Sequence, residues 1–299
     1  MNMELPGYAT RVDQLSFSSC YLELHGEGAS TRHASGFLWR AGNEIYLVTN
    51  WHVVTGKNIF NGEFMEHGWC PQRIVLDLMI QGASSAGSVA TSNREISIER
   101  HELRLYHDFH SPLWLQHRMT FDWNVDIALL RLDASKISNA SRIICVNDYK
   151  FERLFHYVGA DILVIGHPLS NEDSKYPVTF PTWKRGSIAS ELFIPWNMRP
   201  AFLADVRTSQ GMSGSPVIRR AFGPATMADL TTCLDKVVTS EFMGIYSGRL
   251  YDDERNASVG LVWYRNLIDQ IISSPAVGSR EWTPSTVRGI KEILEPTSG

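Results

Sequence analysis

The stretch TSQGMSGSPV, residues 208–217, sets Ser213 between Gly211 and Gly214 with Pro216 just behind. Serine and glycine cluster in ordinary turns. A turn this poor in side chains also suits a nucleophile, because backbone N–H groups can converge there on a reacting carbonyl oxygen. A serine hydroxyl attacks only when a base takes its proton, so a catalytic serine implies a histidine. Of the ten histidines, His52 lies in YLVTNWHVVTG, where an apolar strand ends and the chain turns. Such a base needs an acceptor for its other ring N–H, and Asp126 in WNVDIALLRL begins an apolar run that buries it. Asp122 is the near rival, without an apolar strand immediately behind it.

The elements that must position these residues read as short strands. FSSCYLEL (17–24), SGFLWR (35–40), EIYLVTN (44–50), RIVLDLMI (73–80) and DIALLRL (126–132) are separated by turn residues. DILVIG (161–166), AFLADV (201–206), SPVI (215–218) and FMGIYS (242–247) continue the series. Many short strands at this spacing argue for an all-β sandwich or barrel pair. Helical periodicity enters only at WYRNLIDQII, where Leu267, Ile268, Ile271 and Ile272 share one face. QGASSAGSVATSN (81–93) reads as a loop, and the chain after 275 as a linker with one short helix over 286–294.

Together the contexts Thr-Asn-x-His-Val, Asp-Ile-Ala-Leu-Leu and Gly-x-Ser-Gly-Ser-Pro, in that order, resemble the chymotrypsin-fold (trypsin-like) serine peptidases. The flavour is that of the high-temperature-requirement proteases and the glutamyl endopeptidases. VIGHPLS, KRGSIAS and FMGIYSG resemble further strands of their C-terminal barrel, and VGLVWYRNLIDQII their last strand and closing helix. The resemblance covers residues 15–273. It implies two six-stranded antiparallel β-barrels with a C-terminal helix. Residues 1–140 would form the first barrel, carrying His52 and Asp126, and 141–275 the second, carrying Ser213; 276–299 would be a tail. It further implies His52 as general base, Asp126 as its orienter, Ser213 as nucleophile, and the N–H groups of Gly211 and Ser213 as the oxyanion hole. The activity implied is endopeptidase cleavage of proteins through an acyl-enzyme, with no cofactor.

Departures from the family pattern carry their own expectations. Met212 stands where the digestive enzymes have an aspartate that captures a freshly cut N-terminus, so activation by N-terminal cleavage is not expected. No cysteine accompanies His52, and no PDZ-like domain follows the helix. His52 and Asp126 are 74 residues apart, which implies an insertion around 80–120. Counting back from Ser213 puts Arg207 at the pocket floor, where the trypsin-like digestive enzymes have an aspartate. The resemblance implies Thr208 as a pocket hydroxyl of the glutamyl endopeptidases, Tyr246 in place of their carboxylate-binding histidine, and Ser247 and Gly248 as further substrate-binding residues. A guanidinium there would repel basic side chains and favour acidic ones, whereas the Tyr246 phenol would shorten the pocket for small residues. The alternative is an Arg207 that points outward to Asp205 or Glu241.

The insertion holds HELRLYHDFHSPLWLQH, with His101, His107, His110 and His117. Its first histidines are six apart and cannot share a helix face, so an ordinary decorated loop or strand is read in preference to a metal site. A net charge of −4 and the lack of a basic run argue against nucleic-acid or membrane-surface partners. Cys20, Cys70, Cys145 and Cys233 form no CxxC pair, and the N-terminus has no basic start with an apolar run behind it. A reduced, cytoplasmic protein is the expectation. The competing readings are a catalytically silent fold that binds protein, and a peptidase held latent until a partner orders the 210–213 turn.

Overall fold

In the computed structural model, the described residues are 12–26, 30–66, 68–81, 89–91, 94–108, 111–168, 180–250 and 259–283. A short helix α1 (Gln14–Ser18) leads into strand β1 (Ser19–Gly26), and β2 (Thr31–Ala41) returns antiparallel beside it. The turn into β3 (Glu44–Thr49) has Gly42 at φ +57° in its first central position, where a two-residue type II′ hairpin needs glycine. One turn of helix, α2 (Trp51–Thr55), follows and is closed by Gly56 in the left-handed region.

A long hairpin, β4 (Pro71–Gln81) and β6 (Arg94–Arg104), extends the sheet beyond β1, and β5 (Val89–Thr91) pairs with the end of β6. On the other side β7 (Trp114–Gln116) and β8 (Ala128–Leu132) pair with each other, and β8 with β3. Of this hairpin, β6 falls within the expected insertion, 80–120. Within 81–93, read from sequence as a loop, residues 89–91 are a paired strand, and 82–88 and 92–93 lie outside the described residues.

The second half is a closed six-stranded barrel. Its members are β9 (Asp161–Gly166), β10 (Thr182–Ile188), β11 (Ala201–Asp205), β12 (Pro216–Phe222), β15 (Val238–Arg249) and β16 (Val259–Tyr264). A small hairpin, β13 (Ala225–Thr226) and β14 (Thr232–Cys233), decorates the far end of β12. Helix α3 (Asn266–Ser273) closes the barrel, burying Leu267, Ile268 and Ile271 as the helical spacing predicts.

The chain then crosses back: β17 (Ala276–Val277) pairs with β7, so the first half is a nine-stranded sheet among the described residues. Residues 276–282 are therefore not a linker, and the helix expected over 286–294 lies outside the described residues. The two halves meet in one apolar seam. Phe37, Val48, Val125, Ile127 and Leu129 come from the first half and Ile165, Ile218, Phe242, Ile245 and Trp263 from the second. This seam fixes the relative position of anything built on the facing ends of β3, β8 and β12.

Candidate active site

His52 sits on α2, two residues past the Asn50 cap. Val53 and Val54 bury the opposite face of that turn, which leaves the imidazole directed to the seam between the halves. Asp126 lies between Val125 and Ile127, both fully buried in the seam, so its own side chain faces the other way, toward α2. Asn50 Nδ2 donates to the Asp126 carbonyl at 2.7 Å and locks the two segments together.

The carboxylate receives three donors. The His52 amide reaches Oδ1 at 2.8 Å, His52 Nδ1 reaches Oδ2 at 2.6 Å, and the Ser247 hydroxyl also donates to Oδ2. Asp126 is 1% exposed, so these bonds are what make burying a charge tolerable. A carboxylate only accepts, so Nδ1 carries the proton and Nε2 has its lone pair free toward the cleft. Asp126, and not Asp122, is the partner of His52.

Ser213 faces the same cleft from the turn before β12. Gly211 and Gly214 have φ of +90° and +87°, which only glycine adopts without strain. A Cβ at Gly214 would fall 2.1 Å from the Ser35 carbonyl oxygen, so the turn also needs glycine to approach the first half. Gly214 N–H donates to the Tyr246 carbonyl, and Ser215 N–H to that of Met212. Among the described residues the N–H groups of Gly211 and Ser213 have no acceptor. Two unspent donors on either side of Met212 suit an oxygen that gains negative charge. Ser213 Oγ makes no hydrogen bond among the described residues, and a Cβ at Gly248 would lie 3.5 Å from it. Nucleophile–base bonds commonly tighten only when substrate is present.

The cleft has a volume of about 470 Å³ and is lined by His52, Asp126, Gly211 and Ser213 together with Thr208, Tyr246, Ser247 and Gly248. Arg207 does not line it. Strand-like alternation buries Val206 and Thr208 and turns Arg207 out to solvent, so its placing at a pocket floor is corrected. At the inner end of the recess, Thr208 Oγ1 and Tyr246 OH are 2.6 Å apart and both residues are buried. The sequence reading missed the Ser247 hydroxyl as a support of Asp126. It also missed the far arm of the cleft, where Arg32 pairs with Glu66 and stacks over Trp69.

The histidines of the insertion go separate ways. His101 pairs with Glu99 on β6, while His117 stacks on Trp123 and meets Gln270. His107 is exposed, and His110 lies outside the described residues. Among the described residues no group of three or more His, Cys, Asp or Glu could hold a metal.

The model of one family, the trypsin-like peptidase domain, matches residues 34–223, a span that contains His52, Asp126 and Ser213. The chain belongs to that family. Membership supports a protease function for this trypsin-like domain. No curated protein matches it. Among solved structures it is similar to the thermostable serine protease AL20 from an extremophilic microorganism, at 10% identity and TM-score 0.47, covering 86% of this chain and 96% of that one. It is also similar to protease Anisep from Arthrobacter nicotinovorans, at 12% identity and TM-score 0.45, covering 84% and 91%. Human heparin binding protein is a further likeness, at 13% identity and TM-score 0.46, covering 92% and 99%. No helix among the described residues of this trypsin-like domain is long and apolar enough to cross a membrane.

Proposed function

We propose that the chain is a serine endopeptidase that cleaves protein substrates through an acyl-enzyme. The observation that carries this reading is the Asp126–His52 pair, bonded at 2.6 Å, in one cleft with Ser213 and the two unspent N–H groups of Gly211 and Ser213. His52 Nε2 takes the Ser213 proton as Oγ attacks the scissile carbonyl, and Asp126 stabilises the imidazolium that results. The carbonyl oxygen becomes an oxyanion between the two N–H groups. His52 then hands its proton to the leaving amine, and a water molecule, activated by the same imidazole, releases the acid and restores Ser213.

The recess beside Ser213 supports a substrate with a small, uncharged side chain at the residue that supplies the scissile carbonyl. The bonded hydroxyls of Thr208 and Tyr246 narrow it, and Arg207 points away from it. A reducing, cytoplasmic setting belongs to the same proposal, since all four cysteines are free and three of them are buried.

The test is labelling with a serine-directed fluorophosphonate, combined with peptide hydrolysis. The parent protein should label once and turn over peptides, and Ser213→Ala should do neither. Hydrolysis that survived in Ser213→Ala at the parent rate would end this reading, and a parent that neither labels nor cleaves would favour a silent binding fold.

A further inference from the structure

Ser35 lies on β2, in the other half of the molecule from the nucleophile, and is fully buried. Its backbone N–H donates to the Ser213 carbonyl at 2.9 Å. Its hydroxyl donates to the Gly211 carbonyl at 2.7 Å and accepts the His167 N–H at 2.8 Å. Its own carbonyl accepts the Thr49 hydroxyl at 2.9 Å. Every polar atom of this residue is therefore used, and two of its bonds end on the 211–213 turn.

The choice of carbonyls matters. Gly211 O and Ser213 O flank the peptide that contains the Ser213 N–H. Pinning both toward β2 leaves that N–H, and the one at Gly211, directed away into the cleft. A peptide unit next to glycine turns over easily, because both signs of φ are open to it. A turn with glycine at 211 and 214 needs an outside restraint to keep its donors aimed. Met212 is buried and has no charge with which to hold the turn by an ion pair.

We propose that Ser35 is a positioning residue, a latch that holds the oxyanion turn in its donating arrangement from the opposite half of the fold. This deepens the serine-peptidase reading and rests on it for its kinetic arm. The latch is made of neutral groups and links two halves that are already packed, so the turn is organised as soon as the chain folds. The glycines around it agree: a Cβ at Gly166 would fall 2.7 Å from Ser35 Oγ, and one at Gly211 would fall 2.5 Å from the His167 carbonyl. Larger residues at either point would prise the latch from its partners.

The experiment compares the parent with Ser35→Ala and Ser35→Cys by steady-state kinetics and by amide hydrogen exchange over residues 208–215. Loss of one aligned oxyanion donor costs about 10²–10³ in kcat. Ser35→Ala should lose about 10²-fold in kcat with KM within about threefold, and exchange over 208–215 should quicken at least about tenfold. Ser35→Cys, with its weak S–H donor, should fall between the two, and it takes the place of the alanine variant if that one fails to fold. A folded variant with kcat within twofold of the parent, or a slowed one with unchanged exchange over 208–215, overturns the latch. A parent without hydrolysis would sink the peptidase reading instead, and the exchange arm would still decide the latch.

Discussion

His52 presents two N–H groups to a single carboxylate, its amide to Asp126 Oδ1 at 2.8 Å and its ring Nδ1 to Oδ2 at 2.6 Å. The amide bond fixes where the carboxylate sits, and the ring bond fixes which imidazole nitrogen is basic. Replacing Asp126 with asparagine keeps the shape but offers an N–H₂ to the ring. The ring then turns its proton outward, and Nε2 can no longer accept from Ser213. Asp126→Asn should lower kcat by about 10⁴ with the fold retained. Measuring kcat alongside circular dichroism checks this, and a loss under tenfold would contradict the assigned tautomer.

The contact between Thr208 and Tyr246 makes a second prediction. The parent should cut after small uncharged residues such as alanine, with bulky and charged side chains excluded by the phenol. Tyr246 packs so closely on Gly260 that a Cβ there would meet its ring at 2.3–2.8 Å, which leaves the ring no room to withdraw. Tyr246→Ala should open the recess and admit leucine or phenylalanine, with kcat/KM for those substrates rising at least tenfold, the scale of a few methylenes in an apolar pocket. A peptide-library profile of both proteins decides it. Dominant cleavage after Lys or Arg by the parent would refute the pocket assignment.

The sequence made some of these relations readable and hid others for physical reasons. His52, Asp126 and Ser213 each stand in a local context whose pattern reflects local constraints: a strand end, a buried strand start, a glycine-flanked turn. Arg207 was misplaced because counting along the chain ignores side-chain alternation, which turns every second residue of 206–208 outward. Ser35 looked like any small strand residue, since its partner Gly211 is 176 positions away and nothing local marks the bond. The strand 276–277 is two residues long, too short for any periodicity, and exists only because β7 offers an edge.

That returning segment supports one wall of the cleft. Trp282 Nε1 donates to the Ile59 carbonyl at 2.8 Å, Lys57 Nζ to the Arg280 carbonyl at 3.2 Å, and Trp51 Nε1 to the Ser279 carbonyl at 3.0 Å. Ile59 and Phe60 line the cleft, and Arg199 stacks over Phe60 from the other half at 4.7 Å. Trp282→Ala should lower stability by about 1–3 kcal/mol, less than a fully buried tryptophan costs. It should also raise KM for extended peptides several-fold while Ser213 still labels with fluorophosphonate. Thermal unfolding and KM measurements test this, and unchanged values for both would show that the segment is only appended.

His167 gives the last prediction, through acid. It is wholly buried behind the 211–213 turn, facing Ser19, Tyr21, Ser35 and the His33 side, and its Nδ1 has no hydrogen-bond partner among the described residues. Burial lowers its pKa to about 3, opposed by the bond the ring donates to the Ser19 backbone and helped by the neighbouring His33. The unfolded chain protonates this ring near pH 6.5, whereas the fold keeps it neutral down to about pH 3. Between those limits the unfolded state holds one more proton, so stability falls as pH falls, by about 1.4 kcal/mol per pH unit from this group. Below about pH 3 both states are charged and the slope ends. His167→Phe keeps an aromatic ring against Tyr21 and removes the titration. Urea unfolding between pH 4.5 and 6.5 should therefore give a shallower pH dependence in the variant, by about one proton. Parallel slopes in the two proteins would mean that His167 is not held neutral in the fold.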